Sequence, residues 1–197
     1  MTSTIRRITD RTLATAVAAA ALSGGLALAT TATASAAPAD CAYMGYGSRP
    51  DQLGLQLDSA ERSVANNINA YRAQNGRAAL RVSTILARPT MWSSLDDARR
   101  GVAPANHIDS RGMGPAQRAQ FCSGYTGPIG EINYWGYGGG PLNNEKGSGE
   151  AALAWWKQSP PHNALLLSTQ YTTFSVGRAY LGVNAERQFW TVEFGTS

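Results

Sequence analysis

The sequence predicts an α+β chain in which helices come first and an antiparallel hairpin closes the fold. Three observations carry this. A helix with both ends marked begins at Asp58 and stops at Gly76, and Ile129 to Trp135 alternate as a strand does. Two further alternating runs, FSVGRAYL and RQFWTVEF, end the chain around the short connection GVNAE. Helices and sheet must then be layered, because each has one apolar face to bury.

The first residues read as an address rather than as structure. Arg6, Arg7 and Arg11 form a basic start, an Ala/Leu-rich stretch runs from Leu13 to Ala29, and ATASAAPAD supplies the small residues of a cleavage site, so residues 1–36 are expected to be a secretory signal peptide. The apolar stretch, about 17 residues broken by Ser23-Gly24-Gly25, is at the lower limit for spanning a bilayer. A secreted, extracellular chain with no stable membrane anchor after cleavage is the expectation.

Removing 36 of the 197 residues leaves 161, one domain of ordinary size. Such a chain buries about 70% of its surface and needs no metal in order to fold. The leader carries three arginines and one aspartate, so 17 basic and 13 acidic residues become 14 and 12. No Lys/Arg run or basic stripe interleaved with aromatics is present, which argues against a nucleic-acid partner. The two cysteines, Cys41 and Cys122, are expected to form a disulfide in an oxidising compartment, and an even count after a leader disfavours the alternative of Cys122 as a thiolate nucleophile.

Residues 37–57, rich in Gly, Tyr and Pro, read as an N-terminal arm pinned by Cys41, and 58–197 as the domain. Asp58 at the N-cap and Glu61 three residues on form a capping box. Leu57, Ala60, Val64, Ile68 and Tyr71 give the helix its buried face, with Arg62, Asn66, Asn69 and Arg72 expected in water. A second helix lies between Ser83 and Gly101, starting or kinking near Pro89, with Met91, Trp92, Leu95 and Ala98 on its apolar face. Asp96, Asp97, Arg99 and Arg100 are expected on its solvated face. PAQRAQFC reads as a short helix delivering Cys122 to its partner. In the Ile129–Trp135 strand, Glu131, Asn133 and Trp135 share one side and Ile132 and Tyr134 the other, and a glycine-rich loop follows. Ser148 caps the next helix, Glu150 lies in its first turn, and Pro160-Pro161 interrupt it before a shorter helix with His162, Leu165 and Leu166. Trp190, Val192 and Phe194 mark a core face of the last strand.

His107, Glu131 and His162 each lie beside glycine or proline at the edge of an element, where side chains tend to line sites. His107 and His162 are the whole histidine inventory. No HExxH, GxSxG or phosphate-binding glycine loop is present.

The segments NHIDSRG, GEINYWG, AALAWWKQSPPHNALLL and VGRAYL with RQFWTVEFG follow, in this order, a helix containing NAYRAQNG. Together they resemble the CAP superfamily, also called SCP-like, over residues 59–195. The resemblance implies a three-layer α-β-α sandwich with a mainly antiparallel central sheet and an open cleft lined by two histidines and two acidic residues. The family's His-x-Asp segment falls on His107 and Asp109, its Gly-Glu-Asn segment on Gly130-Glu131, and its Ser-Pro-x-His segment on Ser159-Pro160-Pro161-His162. Two departures stand out. Ile132 follows the glutamate, so the amide appears at Asn133, and the second acidic residue has only Glu150 as a counterpart, where helix capping fits better.

The implied constellation is His107, Glu131 and His162, with Asp109 and Ser110 as turn-forming neighbours. Two imidazoles and a carboxylate suffice for zinc with an open position. The leading expectation is a monomeric, non-enzymatic binding domain for a divalent cation or polar ligand, its extracellular partner unidentified. Metal-assisted hydrolysis with Glu131 acting on a zinc-bound water, or a serine nucleophile at Ser110 or Ser159, is the alternative. Lipid or sterol binding through Tyr134, Trp135 and Tyr137 is a third reading, against which those rings are expected to pack beneath the sheet.

Overall fold

A computed structural model describes Cys41 and residues 57–137, 147–181 and 187–196. The expected leader, nearly all of the arm, the GVNAE connection and most of the glycine-rich loop lie outside the described residues.

The first helix, α1 (Ser59–Gln74), starts where its sequence says it should. Asp58 Oδ1 accepts from Glu61 N and Glu61 Oε2 accepts from Asp58 N, each at 2.8 Å, which completes the capping box. Arg72, expected in water, is instead 2% exposed. Its guanidinium donates to the carbonyls of Ala78, Leu166 and Ser168 at 2.9, 2.6 and 3.0 Å, so it binds the negative end of a later helix and ties α1 to it.

A two-residue strand, β1 (Arg81–Val82), precedes α2 (Ala87–Arg100). Pro89 does not kink α2: it sits in the first turn, where its missing N–H has no intrahelical partner to lose. Gly101, at φ 71°, closes the helix in the left-handed region. Next comes α3 (Pro115–Ser123), which opens on proline and carries Cys122 into a disulfide with Cys41 at an S–S distance of 2.10 Å and a Cα separation of 5.4 Å. That bond removes the thiolate alternative. The remaining elements are β2 (Gly130–Tyr137), α4 (Gly149–Gln158), α5 (Pro160–Leu166), β3 (Thr173–Leu181) and β4 (Arg187–Gly195). Ser148 caps α4 through Ala151 N at 3.1 Å, and Ser159 ends α4 and begins α5.

The sheet order is β1-β3-β4-β2. β1 runs parallel to β3, while β3/β4 and β4/β2 are antiparallel, so the sheet is mixed although mainly antiparallel. The exception is the short strand β1, which had no alternating pattern to announce it. Strand alternation divides the sheet into two chemically different faces. On one, Ile132, Phe174, Val176, Trp190, Val192 and Phe194 pack with Val64 and Ile68 of α1, Trp156 of α4 and Leu166 of α5. On the other, Glu131, Asn133, Ser175, Thr191 and Glu193 are buried under α2 and α3. Ser94 Oγ of α2 donates to Gly177 O at 2.9 Å and Thr90 Oγ1 to Glu193 Oε2 at 3.1 Å. This is the α-β-α layering that the resemblance implied. Among the described residues no helix is long and apolar enough to cross a membrane.

The α2 backbone presses so closely on β3 that a Cβ on Gly177 would stand 2.9 Å from the carbonyl oxygen of Thr90. Gly177→Ala is therefore expected to cost about 1–3 kcal/mol, read as a lower urea midpoint at unchanged slope. The disulfide spans 81 residues. Replacing Cys41 and Cys122 together by serine is expected to cost about 4 kcal/mol, measured in the same way.

Candidate functional site

The segment between α2 and α3 folds around two carboxylates. Asp109 Oδ1 accepts from the amides of Arg111 and Met113, each at 2.9 Å, and its Oδ2 accepts from Trp92 Nε1 at 3.0 Å. Burial opposes ionisation of Asp109, but the bonds from Met113 N, Trp92 and Arg111 N outweigh it and hold the carboxyl below its ordinary range. Asp96 of α2 accepts from Ser110 N at 3.0 Å and from Ser110 Oγ. Asp109 and Ser110 are thus turn-forming groups that anchor the loop to α2, and the Ser110 hydroxyl is committed to a carboxylate rather than to an imidazole.

This anchored loop presents His107 with φ 59°, the one described non-glycine residue in the left-handed region. Such backbone costs about 1–3 kcal/mol and persists only where the surroundings impose it. What imposes it here is visible on both sides of the residue. His107 N donates to Pro104 O at 3.0 Å, and the ring Nδ1 lies 2.9 Å from Glu131 Oε1.

Glu131 belongs to a buried charge group that the sequence did not reveal. Its second oxygen is bound by Arg118 Nη2 of α3. The same nitrogen lies 3.4 Å from Glu193 Oε1, and Glu193 is the register partner of Glu131 across β2 and β4. All three side chains are at most 1% exposed. Two adjacent buried carboxyls do not both ionise beside a single cation. For Glu131, burial works against the charged form, but Arg118 and then His107 prevail and hold it below the ordinary carboxylate range. For Glu193, burial, opposed by Arg118 and reinforced by the Glu131 charge, pushes the carboxyl well above that range, so Glu193 carries the proton of the pair.

Asp97, expected on a solvated face with Asp96, is likewise buried. It accepts from Asn133 Nδ2 at 3.1 Å, and Arg100 donates to it at 3.2 Å. Glu131 and Asn133 thus share the α2/α3 face, as strand alternation required, and Asn133, one position beyond the amide of the family pattern, is among the residues that line the cleft. The other end of that amide, Oδ1, is buried without a hydrogen-bond partner.

Across from His107 stands His162 of α5. Its Nδ1 lies 2.6 Å from Ser159 Oγ, and its ring packs against Trp155 at a centroid distance of 4.8 Å. Burial, and then the neighbouring His107, lower the His162 pKa, which favours the neutral ring. The two imidazoles, Asn133, Tyr134, Trp135 and Trp155 line one cleft of about 320 Å³, with Ala103 to Ala105 as its remaining wall. Neither Nε2 has a hydrogen-bond partner among the described residues. Glu150 is exposed in the first turn of α4, as a capping residue would be.

The expected trio therefore separates into two roles. His107 and His162 face the cleft, while Glu131 lies behind His107 with both oxygens taken. No group of three His, Cys, Asp or Glu able to hold a metal ion exists among the described residues. As a three-ligand zinc shell these side chains do not fit, because one Glu131 oxygen is held by His107 Nδ1 and the other by Arg118, and neither is offered to the cleft. The rings of the third reading do not all pack beneath the sheet: Tyr134 lies against Trp155 and Trp156, but Trp135 and Tyr137 are 36% and 51% exposed.

Burial, and next the charge of Glu131, raise Asp97 from 3.8 to about 7. Below the unfolded value the folded and unfolded states hold the same proton. Between the two values the folded state alone keeps it, so stability falls as pH rises from about 4 towards 7. Asp97→Asn is expected to flatten this part of the stability curve, measured by urea unfolding at half-unit pH steps. An unchanged slope would show that Asp97 titrates normally.

The family model described as the cysteine-rich secretory protein family matches residues 65–194, more than half of the chain. Among solved structures, an outer surface protein of Borrelia burgdorferi superposes with a TM-score of 0.55 at 17% identity, covering 71% of this chain and 96% of its own. An extracellular protein of Bacillus anthracis that contains an SCP domain gives a TM-score of 0.55 at 21% identity. That match covers 70% of this chain and 40% of the longer protein. A comparison with curated proteins returns no match. At these identities the structures speak to the fold, and the family model to membership: the chain belongs to the cysteine-rich secretory protein family, the CAP superfamily.

Proposed function

We propose that this chain is an exported binding domain whose cleft takes a polar ligand between two imidazole edges and does not turn it over. The observation that carries the reading is His107. A strained backbone and a buried carboxylate fix its ring by Nδ1, which leaves Nε2 for the cleft that His162, held at Nδ1 by the Ser159 hydroxyl, also lines. Placing a ring at such cost makes sense where its orientation is used. Export is supported by the leader-like first 36 residues, by the disulfide and by the extracellular neighbours in fold.

Hydrolysis lacks its parts. Glu131, held ionised by Arg118 and His107, is a weak base with no free oxygen to offer a water. Ser159 and His162 touch, but that contact lies within one helical turn, and among the described residues no carboxylate is hydrogen-bonded to the ring as a triad requires. A divalent cation finds two imidazoles rather than three ligands, which favours a polar ligand over a resident metal.

Purified protein is expected to leave peptide, ester and peptidoglycan substrates intact. Calorimetric titration with zinc is expected to give weak binding that His107→Ala combined with His162→Ala abolishes. Tight saturation at one equivalent, or chelator-sensitive turnover lost in Glu131→Gln, would overturn the reading. The positive test is NMR of the two imidazole rings during titration with small dipeptides, inorganic phosphate and neutral oligosaccharides. At least one class is expected to shift both rings, and silence from all three would sink the proposal.

A further inference from the structure

We infer that the ligand this cleft selects is a neutral saccharide, held by stacking on Trp155 and Trp135 and by hydroxyl contacts to Asn133, His107 and His162. The inference rests on the binding reading above and names the chemistry of what is bound.

No Asp, Glu, Lys or Arg is among the described residues that line the cleft. The described charges nearby are engaged: Arg118 by Glu131 and Glu193, Arg100 by Asp96 and Asp97, Arg111 by Asp109, and Arg187 by the Gly101 carbonyl and the Tyr137 ring. Among the described residues an entering anion would meet no unengaged lysine or arginine, and a cation no free carboxylate, so either would lose hydration without a full counter-charge.

The lining also pairs ring faces with polar points. Trp155 is 46% and Trp135 36% exposed, large values for residues that normally bury their area. Trp135 is held by stacking on Phe189 at 6.2 Å with an interplanar angle of 18°, and Trp155 by Tyr134 and His162 at 5.8 and 4.8 Å. They are therefore fixed platforms rather than loose side chains. The same cleft is lined by Asn133, 8% exposed, with its buried Oδ1 unpartnered and its other end held by Asp97. A buried acceptor without a donor is costly and is repaired by a hydroxyl. His107 donates Nδ1–H to the Glu131 carboxylate, so the Nε2 of its neutral ring accepts from a hydroxyl, whereas His162, whose Nδ1 meets the Ser159 hydroxyl, can accept or donate at Nε2 according to its tautomer.

An acyl chain or sterol would use the tryptophans but leave the amide and both imidazoles unpaired. A dipeptide would pair with the polar atoms but bring termini that find no counter-charge. A sugar ring has an apolar C–H face for the indoles and hydroxyls at its rim for the three polar groups, and so matches both halves of the lining.

The test is titration of the full domain with three trisaccharides followed by NMR and calorimetry: β-1,4-linked glucose, β-1,4-linked N-acetylglucosamine and a uronic acid. Saturable binding of a neutral trimer, weakened about tenfold or more by Trp155→Ala and about tenfold by His162→Ala, is expected. Trp155 is exposed enough for its replacement to leave the fold intact, which an unchanged unfolding midpoint checks, and Trp135→Ala provides a second, independent loss. Equal or tighter binding of the uronic trimer would overturn neutrality. Ring shifts produced by dipeptide or phosphate but by no trisaccharide would overturn the saccharide assignment and leave the binding reading standing. Shifts with none of these probes would remove both.

Discussion

One buried cation holds the site together. Arg118 rises from α3 between two strands and meets Glu131 and Glu193, which face each other in register on β2 and β4. A guanidinium at 1% exposure is tolerable only with such partners, and two carboxyls so close are tolerable only with a cation and a shared proton. Each member therefore requires the others, and removing one strands the rest: breaking a buried pair of this kind costs about 3–5 kcal/mol. The group also fixes more than stability. Because Arg118 keeps Glu131 ionised and immobile, Glu131 can hold His107 by one ring nitrogen, and the strained turn at His107 has something to be held against.

The two faces of the sheet explain where the cleft lies. The face toward α1, α4 and α5 is apolar and packs as an ordinary core. The face toward α2 and α3 is lined with carboxyls, amides and hydroxyls, and it is buried all the same. Strand β2 is the edge strand at which these two layers meet. The α2/α3 layer brings His107, the α4/α5 layer brings Trp155 and His162, and β2 itself supplies Asn133 and Trp135. Trp156 Nε1 donates to Asn133 O at 3.0 Å, which pins α4 to that edge and spaces the walls. The cleft is thus a seam between layers, built on regular elements and one heavily anchored loop.

What was legible in the sequence was what local chemistry decides. The Asp58/Glu61 capping box, the glycine that ends α2, the proline that opens α3 and the period-two alternation of β2 and β4 all act within a few residues of themselves, and all were found in place. Glu131 and Asn133 on one face followed from pleat geometry alone. The buried charges did not follow, because whether a charged side chain faces water depends on partners distant in sequence. Asp96 and Asp97 read as a solvated face until the 104–114 loop covers that side of α2 and α3 packs beside it. Arg72 reads as exposed until the carbonyl end of α5 reaches it. Arg118 did leave a signal: it lies four residues before Cys122, so a helix that turns Cys122 inward turns Arg118 inward too. Glu193 left one as well, since its strand has apolar residues on both faces and so is covered on both.

The same economy of charge accounts for the character of the cleft. A site rich in ionisable groups would ordinarily be read as acid–base or metal chemistry, and by residue type this one qualifies. Geometry reverses that reading. Every described carboxylate near the cleft is engaged by an arginine, a backbone amide, an indole or a side-chain amide, and each such contact strengthens a wall while removing a reactive group from solvent. Among the described residues, what remains to meet a ligand includes no carboxylate, lysine or arginine: two imidazole edges, the Asn133 side chain and the faces of two tryptophans. Recognition at such a surface depends on direction and shape, which is what an over-determined loop and an edge strand pinned from both layers can supply.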